Sequence, residues 1–370
     1  MTGHVTERQG SEDESRSGGG GGGERGVPEG LGGRGGADRR SGALRVAGLA
    51  LAVVLALGGA GAGWVYWRLN DNITGVDIDG ALGDDRPARP APTASGSAAT
   101  PAGAALNILV LGSDSRSGAA NQSLGGGDSA GARSDTAMVV HLNTGRTEAT
   151  VVSIPRDTLV TRPSCPLESG GESAEASGVM FNTAYSVGGP VCAVKTVESL
   201  TDVRVDHYVE LDFAGFAGLV DALGGVTVTT GADIDDEDSH LTLPAGTHHL
   251  GGEQALALAR TRHGIGDGSD LGRIGLQHQL VRALLDRIAS TSLLSDPARL
   301  YEVADAVTGS LTTDTGLDSL AELVGLGQSL RGLPADAVRT LTMPVVPAPW
   351  DRNRVVADEP EAAELWASLR

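Results

Sequence analysis

Four polar clusters of this chain lie directly beside apolar segments. GSDSR contains Asp114, RSDT contains Arg133 and Asp135, and SIPRDT contains Arg156 and Asp157. The fourth cluster, ARTRHGIGDGSDLGRIGLQ, contributes several charged or amide side chains: Arg260, Arg262, Asp270, Arg273 and Gln277. Because the ends of strands are where α/β sheets bind their ligands, these clusters are the first candidates for a functional site.

The residue types in these clusters suit a diphosphate. Arginine guanidinium groups bind phosphate oxygens in bidentate geometry, and carboxylates bind the divalent cations that bridge phosphates. Arg273 and Gln277 are four residues apart and share one helix face. Arg260 and Arg262 face one pocket only if a helix ends there, as the following HGIGDGSD indicates. The pattern predicts a pyrophosphate site, where positive charge stabilises a leaving phosphate.

Each cluster taken alone also has a simpler interpretation. An Arg–Asp neighbour pair is most often a surface salt bridge that contributes little to stability. Asp270 stands where the N-cap of the following helix is expected. His278 is expected to be a solvated group on a helix surface. The number of clusters, and their position beside apolar segments, favours the joint interpretation over these separate ones.

The overall charge argues against a nucleic-acid partner. The 370 residues carry a formal net charge of −19, whereas nucleic-acid-binding proteins usually present a basic field. Lys195 is the only lysine in the sequence, so arginine supplies almost all of the positive charge.

The first 67 residues predict a membrane anchor. Residues 1–43 are rich in glycine and poor in large apolar side chains, which predicts a disordered cytoplasmic tail. Residues 44–67 predict a transmembrane helix, because VAGLALAVVLALGGAGAGWVYW is uncharged over the ~20 residues that cross a bilayer. Arginines before this segment and aromatic residues after it place the N-terminus in the cytoplasm. A signal peptide cleaved near Ala60-Gly61-Ala62 is the alternative.

The rest of the chain is then extracytoplasmic. Residues 68–105, which include RPARPAPTASGSAATPAG, predict a flexible linker. Cys165 and Cys192 lie on the oxidising side of the membrane, where a disulfide between them is permitted, and two unpaired buried thiols are the alternative.

Residues 106–370 predict one α/β domain with a mixed central sheet flanked by helices in α-β-α layers. Short apolar runs such as LNILVLG, TAMVVHLN and EATVVSIP are typical of buried strands. Helical apolar spacing follows in FAGFAGLVDALGG, GGEQALALARTR and LQHQLVRALLDRIAS. No domain break is indicated within this region.

Seven segments, in order, resemble the LytR-CpsA-Psr family of bacterial envelope proteins. They are NILVLGSDSR, RSDTAMVVHLN, VVSIPRDT, FNTAYSVGGP, VDHYVELDFAGFAGLVDALGGV, GTHHLGGEQALALARTR and SDLGRIGLQHQ, within about Leu106 to Ile288. The predicted cytoplasmic tail, single span and outer domain match the topology of that family. One departure is a helix motif that often reads Arg-Gln-Gln in the family and reads Leu276-Gln277-His278 here, so one positive charge is missing.

The resemblance implies a phosphotransferase at the cell membrane. Such an enzyme moves a glycopolymer, of the arabinogalactan, teichoic-acid or capsular type, from a polyprenyl-pyrophosphate carrier to peptidoglycan. The implied partners are the lipid-linked glycan, peptidoglycan and the membrane, and the implied cofactor is Mg²⁺ or another divalent cation. The resemblance also implies a mixed sheet with helices on both sides and a hydrophobic pocket for the polyprenyl tail.

The resemblance further implies a role for each residue of the four clusters. Asp114 and Asp135 resemble the acids that bind Mg²⁺. Asp157, Asp270 and Arg273 resemble the catalytic residues near the reacting phosphate; Asp270 is expected to orient Arg156, and the identity of the general base stays open. The remaining residues resemble the groups that hold the pyrophosphate: Arg133, Arg156, Arg260, Arg262 and Gln277.

Other functions would use the same residues. A pyrophosphatase would hydrolyse the lipid diphosphate with water as the acceptor. A non-catalytic module would bind the lipid carrier and present it to a partner, although a pure binder needs no arranged metal site. A transcriptional regulator is disfavoured by the negative net charge and by the predicted position outside the membrane.

Overall fold

The computed structural model describes residues 58–84, 86–89, 103–113, 134–167, 169–262, 270–290 and 296–370. Contacts divide the chain into Met1–Ala60 and Gly61–Arg370, and the second unit holds the folded domain. The predicted cytoplasmic tail, 1–43, and most of the predicted transmembrane segment, 44–67, lie outside the described residues. Within the described ranges, no helix is both long and apolar enough to cross a membrane.

A seven-stranded mixed sheet forms the centre of the domain. Its strands, in spatial order, are β1 (Thr74–Val76), β12 (Leu311–Asp314), β7 (His207–Asp212), β2 (Leu106–Ser113), β3 (Ser134–Leu142), β4 (Ala149–Ile154) and β13 (Val338–Thr342). Three neighbouring pairs are parallel, namely β1 with β12, β2 with β7 and β4 with β13, and the other pairs are antiparallel. The predicted mixed central sheet is therefore confirmed.

Within the described residues, the domain also has four two-stranded sheets. They pair β5 (Leu159–Arg162) with β6 (Ala176–Met180), β8 (Val226–Thr230) with β11 (Gly246–Leu250), β9 (Ile234–Asp236) with β10 (Leu241–Leu243), and β14 (Val345–Ala348) with β15 (Asp351–Ala357). The helices are α1 (residues 58–71), α2 (Ile78–Leu82), α3 (Thr183–Thr201), α4 (Phe213–Ala222), α5 (Gly252–Arg260), α6 (Asp270–Ser290), α7 (Pro297–Thr308), α8 (Leu320–Ser329) and α9 (Glu361–Ala367).

Helices cover both faces of the central sheet because its strands are apolar on both faces. Along β2, Leu109 and Leu111 pack in a core cluster with Val194 and Val197 of α3. Ile108 lies in a separate cluster against α8. Since side chains alternate between the faces of a strand, these contacts make three layers, as the sequence predicts.

Cys165 and Cys192 form a disulfide, which confirms the predicted pairing. Cys192 lies in α3, whose backbone is non-helical at Gly188 and Gly189. A Cβ atom at Gly188 would lie 2.8 Å from the carbonyl oxygen of Pro166 and 2.9 Å from the Cβ of Cys192. The absence of a side chain at Gly188 therefore lets the Cys165 segment approach the helix closely enough for the bond to form.

The described part of the predicted 68–105 linker is folded onto the domain, so this boundary is corrected. β1 adds a parallel edge strand beside β12, and Ile78 and Leu82 of α2 are buried in the main core. The Arg86 guanidinium donates to both carboxylate oxygens of Glu198, with Nε at 3.1 and 3.0 Å. Composition alone favoured a linker here, because the apolar side chains that anchor the segment are few.

The Arg86–Glu198 pair is expected to be important for stability. Both side chains are almost fully buried, and removing one partner of a buried pair leaves an uncompensated charge that costs about 3–5 kcal/mol. We expect Arg86→Met to lower the free energy of unfolding by about that amount in urea denaturation.

Arg89→Met is the matched control. The Arg89 side chain is 44% exposed, and its Nε lies 3.3 Å from Asp206, so its loss should cost no more than about 1 kcal/mol. Equal free energies of unfolding for Arg86→Met and Arg89→Met would show that the buried Arg86–Glu198 pair does not stabilise the domain.

Candidate functional site

The central sheet brings three of the four polar clusters to one edge. β2 ends at Ser113, which is paired with Ser134 at the start of β3 and with Asp212 at the end of β7. β4 ends at Ile154, which is paired with Ala137, also near the start of β3. The main chain therefore places position 135 and the SIPRDT cluster at the same edge. Asp114, Arg133 and the side chain of Asp135 lie outside the described part of the chain.

The first turn of α6 is tied to the end of β4 by a row of alternating charges. A guanidinium nitrogen of Arg273 contacts Asp270 Oδ1. Asp270 Oδ1 also lies 3.6 Å from Arg156 Nε, which in turn lies 3.6 Å from Asp157 Oδ1. At the far end, Asp157 Oδ2 is 3.6 Å from Arg354 Nη1. Three arginines and two acids thus alternate across the sheet edge. Of these five residues, Arg354 was not predicted from the sequence.

Asp270 is the most constrained acid of this row. Its Oδ2 accepts a hydrogen bond of 3.1 Å from the backbone N–H of Arg156. Burial raises the pKa of Asp270, and the neighbouring Arg273 and Arg156 oppose that rise by favouring the carboxylate. Asp270 lies within the first turn of α6 and accepts a hydrogen bond from the loop after β4, so the two segments are joined at Arg156.

Four predicted site residues of the fourth cluster line a cavity of about 200 Å³, which Asp238 also borders. α5 ends at Arg260, and the extended conformation of Thr261 (φ −55°, ψ 131°) lets both flanking arginines reach this cavity. Arg273 and Gln277, one turn apart on α6, line it as well. Three guanidinium groups and one amide thus converge on one space, a set of donors suited to phosphate oxygens.

Specific contacts fix the orientation of these side chains. The Arg260 guanidinium carbon lies 4.9 Å from the centre of the Phe213 ring, in cation–π geometry. Gln277 Nε2 donates to Thr136 Oγ1 at 2.9 Å and to the carbonyl oxygen of Ala259 at 3.1 Å. α6 is thereby bonded to both β3 and α5 at the cavity.

Asp236 is a supporting residue that the sequence analysis missed. It is 2% exposed, and its Oδ2 accepts a 2.6 Å hydrogen bond from the backbone N–H of Arg262. Its Oδ1 accepts from the backbone N–H groups of Asp238 and Ser239. The acid-rich segment DIDDEDSH gave no sign of this role, because five of its residues are acidic and the buried one is not distinguishable by type.

The predicted Mg²⁺ ligands, Asp114 and Asp135, follow paired backbone positions. Ser113 and Ser134, the residues that precede them, are Cα partners in β2 and β3. The donor set fits Mg²⁺ in its chemistry, since carboxylates are ligands of hard divalent cations. Among the residues whose side chains are described, no group of three or more His, Cys, Asp and Glu side chains is arranged to hold a metal ion.

A match to a protein-family model identifies the family of the chain. The model of the LytR_cpsA_psr family matches residues 65–370, which is most of the chain. The chain belongs to the LytR_cpsA_psr family. The match begins before β1, in agreement with the folded position of the segment that composition assigned to a linker.

Two relatives of this family member bear the names of cell-wall proteins. The chain is 34% identical over 275 residues to the probable cell wall biosynthesis protein LcpB of Corynebacterium glutamicum, covering 72% of this chain and 61% of the relative. It is 32% identical over 238 residues to the polyisoprenyl-teichoic acid–peptidoglycan teichoic acid transferase TagV of Bacillus subtilis, covering 63% and 57%. The chain thus spans about three fifths of the length of these relatives.

The fold agrees with a solved structure of the same family. The crystal structure of B. subtilis TagV matches with a TM-score of 0.55 and 28% identity, over 72% of this chain and 96% of that one. The α-β-α architecture is therefore that of a LytR_cpsA_psr protein.

The environment of His278, in the α6 motif of this LytR_cpsA_psr protein, differs from the one that the sequence predicts. His278 is not a solvated surface group, because its Nε2 is hydrogen-bonded to Ser153 Oγ of β4 at 2.9 Å. Burial lowers the pKa of His278, and nearby Arg282 lowers it further. Both effects favour the neutral form of the ring, which lies against the sheet.

This environment predicts a loss of stability in acid. Because the pKa of His278 is lower in the folded than in the unfolded chain, the unfolded chain takes up more protons as the pH falls below about 6.5. The contribution of His278 to the free energy of unfolding is therefore full above that pH, and it is lost as the pH falls towards the pKa of the folded chain. We expect His278→Gln to reduce the fall in unfolding free energy between about pH 7.5 and about pH 5.5, measured by urea titration.

His240→Gln, at an exposed histidine, is the control for the replacement of a histidine by glutamine, and its acid-dependent loss is compared with that of His278→Gln. An acid-dependent loss in His278→Gln equal to that of the wild type would show that the ring does not titrate differently on folding.

Proposed function

We propose that the chain is a membrane-anchored phosphotransferase that moves a glycopolymer from a polyprenyl-pyrophosphate carrier to peptidoglycan. The observation that carries this proposal is that four side chains line one common cavity: Arg260, Arg262, Arg273 and Gln277. These donors match a lipid-linked diphosphate in charge and geometry. The name of the relative TagV, a polyisoprenyl-teichoic acid–peptidoglycan teichoic acid transferase, supports the same reaction class.

The proposed reaction is one displacement at phosphorus. A sugar hydroxyl of peptidoglycan attacks the phosphorus attached to the glycopolymer, and the bond from that phosphorus to the bridging oxygen breaks. A phosphodiester forms, and polyprenyl phosphate leaves with its charge stabilised by the arginines of the cavity. The hydroxyl proton passes to a carboxylate, for which we propose Asp157, because Asp270 already accepts from Arg156 and contacts Arg273.

We propose Asp114 and Asp135 as ligands of Mg²⁺, together with oxygens of the diphosphate. The cation would offset the charge of the diphosphate and of the departing phosphate. Arg133 would add a guanidinium group at the same edge. The support for this assignment is the pairing of the preceding residues in β2 and β3.

We propose that residues 44–67 anchor the protein in the membrane, with the N-terminus in the cytoplasm and the domain outside. The support is the uncharged apolar run together with exposed aromatic side chains, Trp64, Tyr66 and Trp67, near its end. Tryptophan and tyrosine favour the membrane–water interface. The cargo is a cell-wall polymer of the arabinogalactan, teichoic-acid or capsular type.

The arginines of the cavity provide the test of the reaction. We expect Arg260→Ala and Arg262→Ala each to lower kcat/KM roughly 100-fold or more, because a group that stabilises developing charge is removed. The full chain in detergent would be incubated with a polyprenyl-pyrophosphate glycan, peptidoglycan and Mg²⁺, and the products identified by mass spectrometry.

Arg282→Ala is the matched control on α6. Arg282 is bonded to Thr340 and does not line the cavity, so transfer should continue at the wild-type rate. A glycan–peptidoglycan phosphodiester establishes the transferase. Free glycan phosphate as the only product would instead assign a pyrophosphatase, and bound but unreacted substrate a binding module.

A further inference from the structure

A second cavity opens beside the candidate site around an exposed tryptophan. Trp350 is 71% exposed, whereas Trp366, the other tryptophan that follows α1, is 2% exposed. The cavity measures about 540 Å³ and is lined in part by Leu159, Val179, Met180, Trp350, Asp351 and Arg354. Trp350 also borders a smaller neighbouring cavity of about 390 Å³. The exposed ring therefore borders two cavities, where a bound molecule can contact it.

The Trp350 ring is presented by a tight hairpin turn. Ala348 and Asp351 are Cα partners in the β14–β15 hairpin, so Pro349 and Trp350 form a two-residue turn. Pro347 and Pro349 restrict the backbone before the ring, since proline fixes φ near −65°. A backbone restricted in this way loses little conformational entropy when a ligand binds, which favours recognition.

The hairpin is connected to the candidate site at Asp157. The backbone N–H of Val355 in β15 is directed at the carbonyl oxygen of Asp157, with an N···O distance of 3.5 Å. Arg354 lines the second cavity, and its Nη1 lies 3.6 Å from Asp157 Oδ2. At the other end of the same row of charges, Arg273 lines the cavity assigned to the diphosphate.

We infer that the cavity beside Trp350 binds the glycan of the acceptor, and this inference rests on the proposed function. Asp157, the proposed base, lies between the two cavities in the row of charges. The diphosphate occupies the side of Arg273, which leaves the side of Arg354 for the molecule whose hydroxyl gives its proton to Asp157.

The lining of the cavity matches the chemistry of a pyranose. A sugar ring has an apolar C–H face that packs on an aromatic ring, and Trp350 offers a wide and exposed one. Its hydroxyl and acetamido groups need hydrogen-bond donors and acceptors, which Arg354 and Asp351 supply. Apolar contact with a few polar groups is the usual composition of a ligand site.

The test measures glycan binding without any transfer. The full chain in detergent would be titrated, in a calorimeter, with soluble glycan strands that an amidase releases from peptidoglycan. We expect Trp350→Ala to weaken this binding at least about tenfold, and Trp350→Phe, which keeps a flat ring, to weaken it less. Trp64→Ala, at a 57% exposed tryptophan of α1, should bind as the wild type does.

The remaining outcomes would overturn the inference. These are equal binding by Trp350→Ala and the wild type, no binding by the wild type, or an equal loss in Trp64→Ala. A second titration would use donor glycopolymer released from its lipid. If Trp350→Ala weakened binding of this polymer but not of the peptidoglycan strands, the cavity would hold the donor and not the acceptor. Since no donor lipid is present in the titration, failure here leaves the transfer assay of the proposed function unaffected.

Discussion

The buried carboxylate of Asp270 is the constraint on which the arrangement of the site depends. It joins α6 to the loop after β4 through the backbone and the side chain of Arg156, and it also contacts the Arg273 guanidinium one turn along α6. A buried carboxylate is costly unless its partners are close and well oriented. The rise in its pKa on burial, opposed by two arginines, reflects that balance. Any movement of α6 away from β4 would separate this acid from Arg156, so the position of Arg156 is coupled to that of the helix.

Much of the site could be predicted because its residues are local in sequence. Arg260 and Arg262 flank a helix end, and Arg273 and Gln277 are spaced by one helical turn, so their convergence on one cavity follows from helix geometry. The strand ends at Ser113 and Ile154 were visible as the ends of apolar runs. Here the pattern of apolar residues determined both the elements and the edge at which the polar clusters meet.

The parts that could not be predicted depend on pairs that are distant in sequence. Arg86 and Glu198 are separated by 112 positions, and nothing in a proline- and alanine-rich segment marks one arginine as buried. Asp236 supports Arg262 from another element, across 26 positions. Arg354 reaches Asp157 from a hairpin near the C-terminus. In each case the residue type is common on surfaces, and only the tertiary fold turns it into a partner of a specific charge.

The three faces of α6 explain why Leu276, which stands where the family motif often has arginine, takes no donor away from the cavity. Arg273 and Gln277 face the cavity, whereas Leu276 and Leu280, also four residues apart, are buried in the cluster formed with β8 to β11. His278 and Arg282 form a third row against β4 and β13. Position 276 is 5% exposed among apolar side chains, so an arginine there would bury a charge in the core instead of adding one to the cavity. Leucine at this position strengthens the packing that holds Arg273 and Gln277 in place.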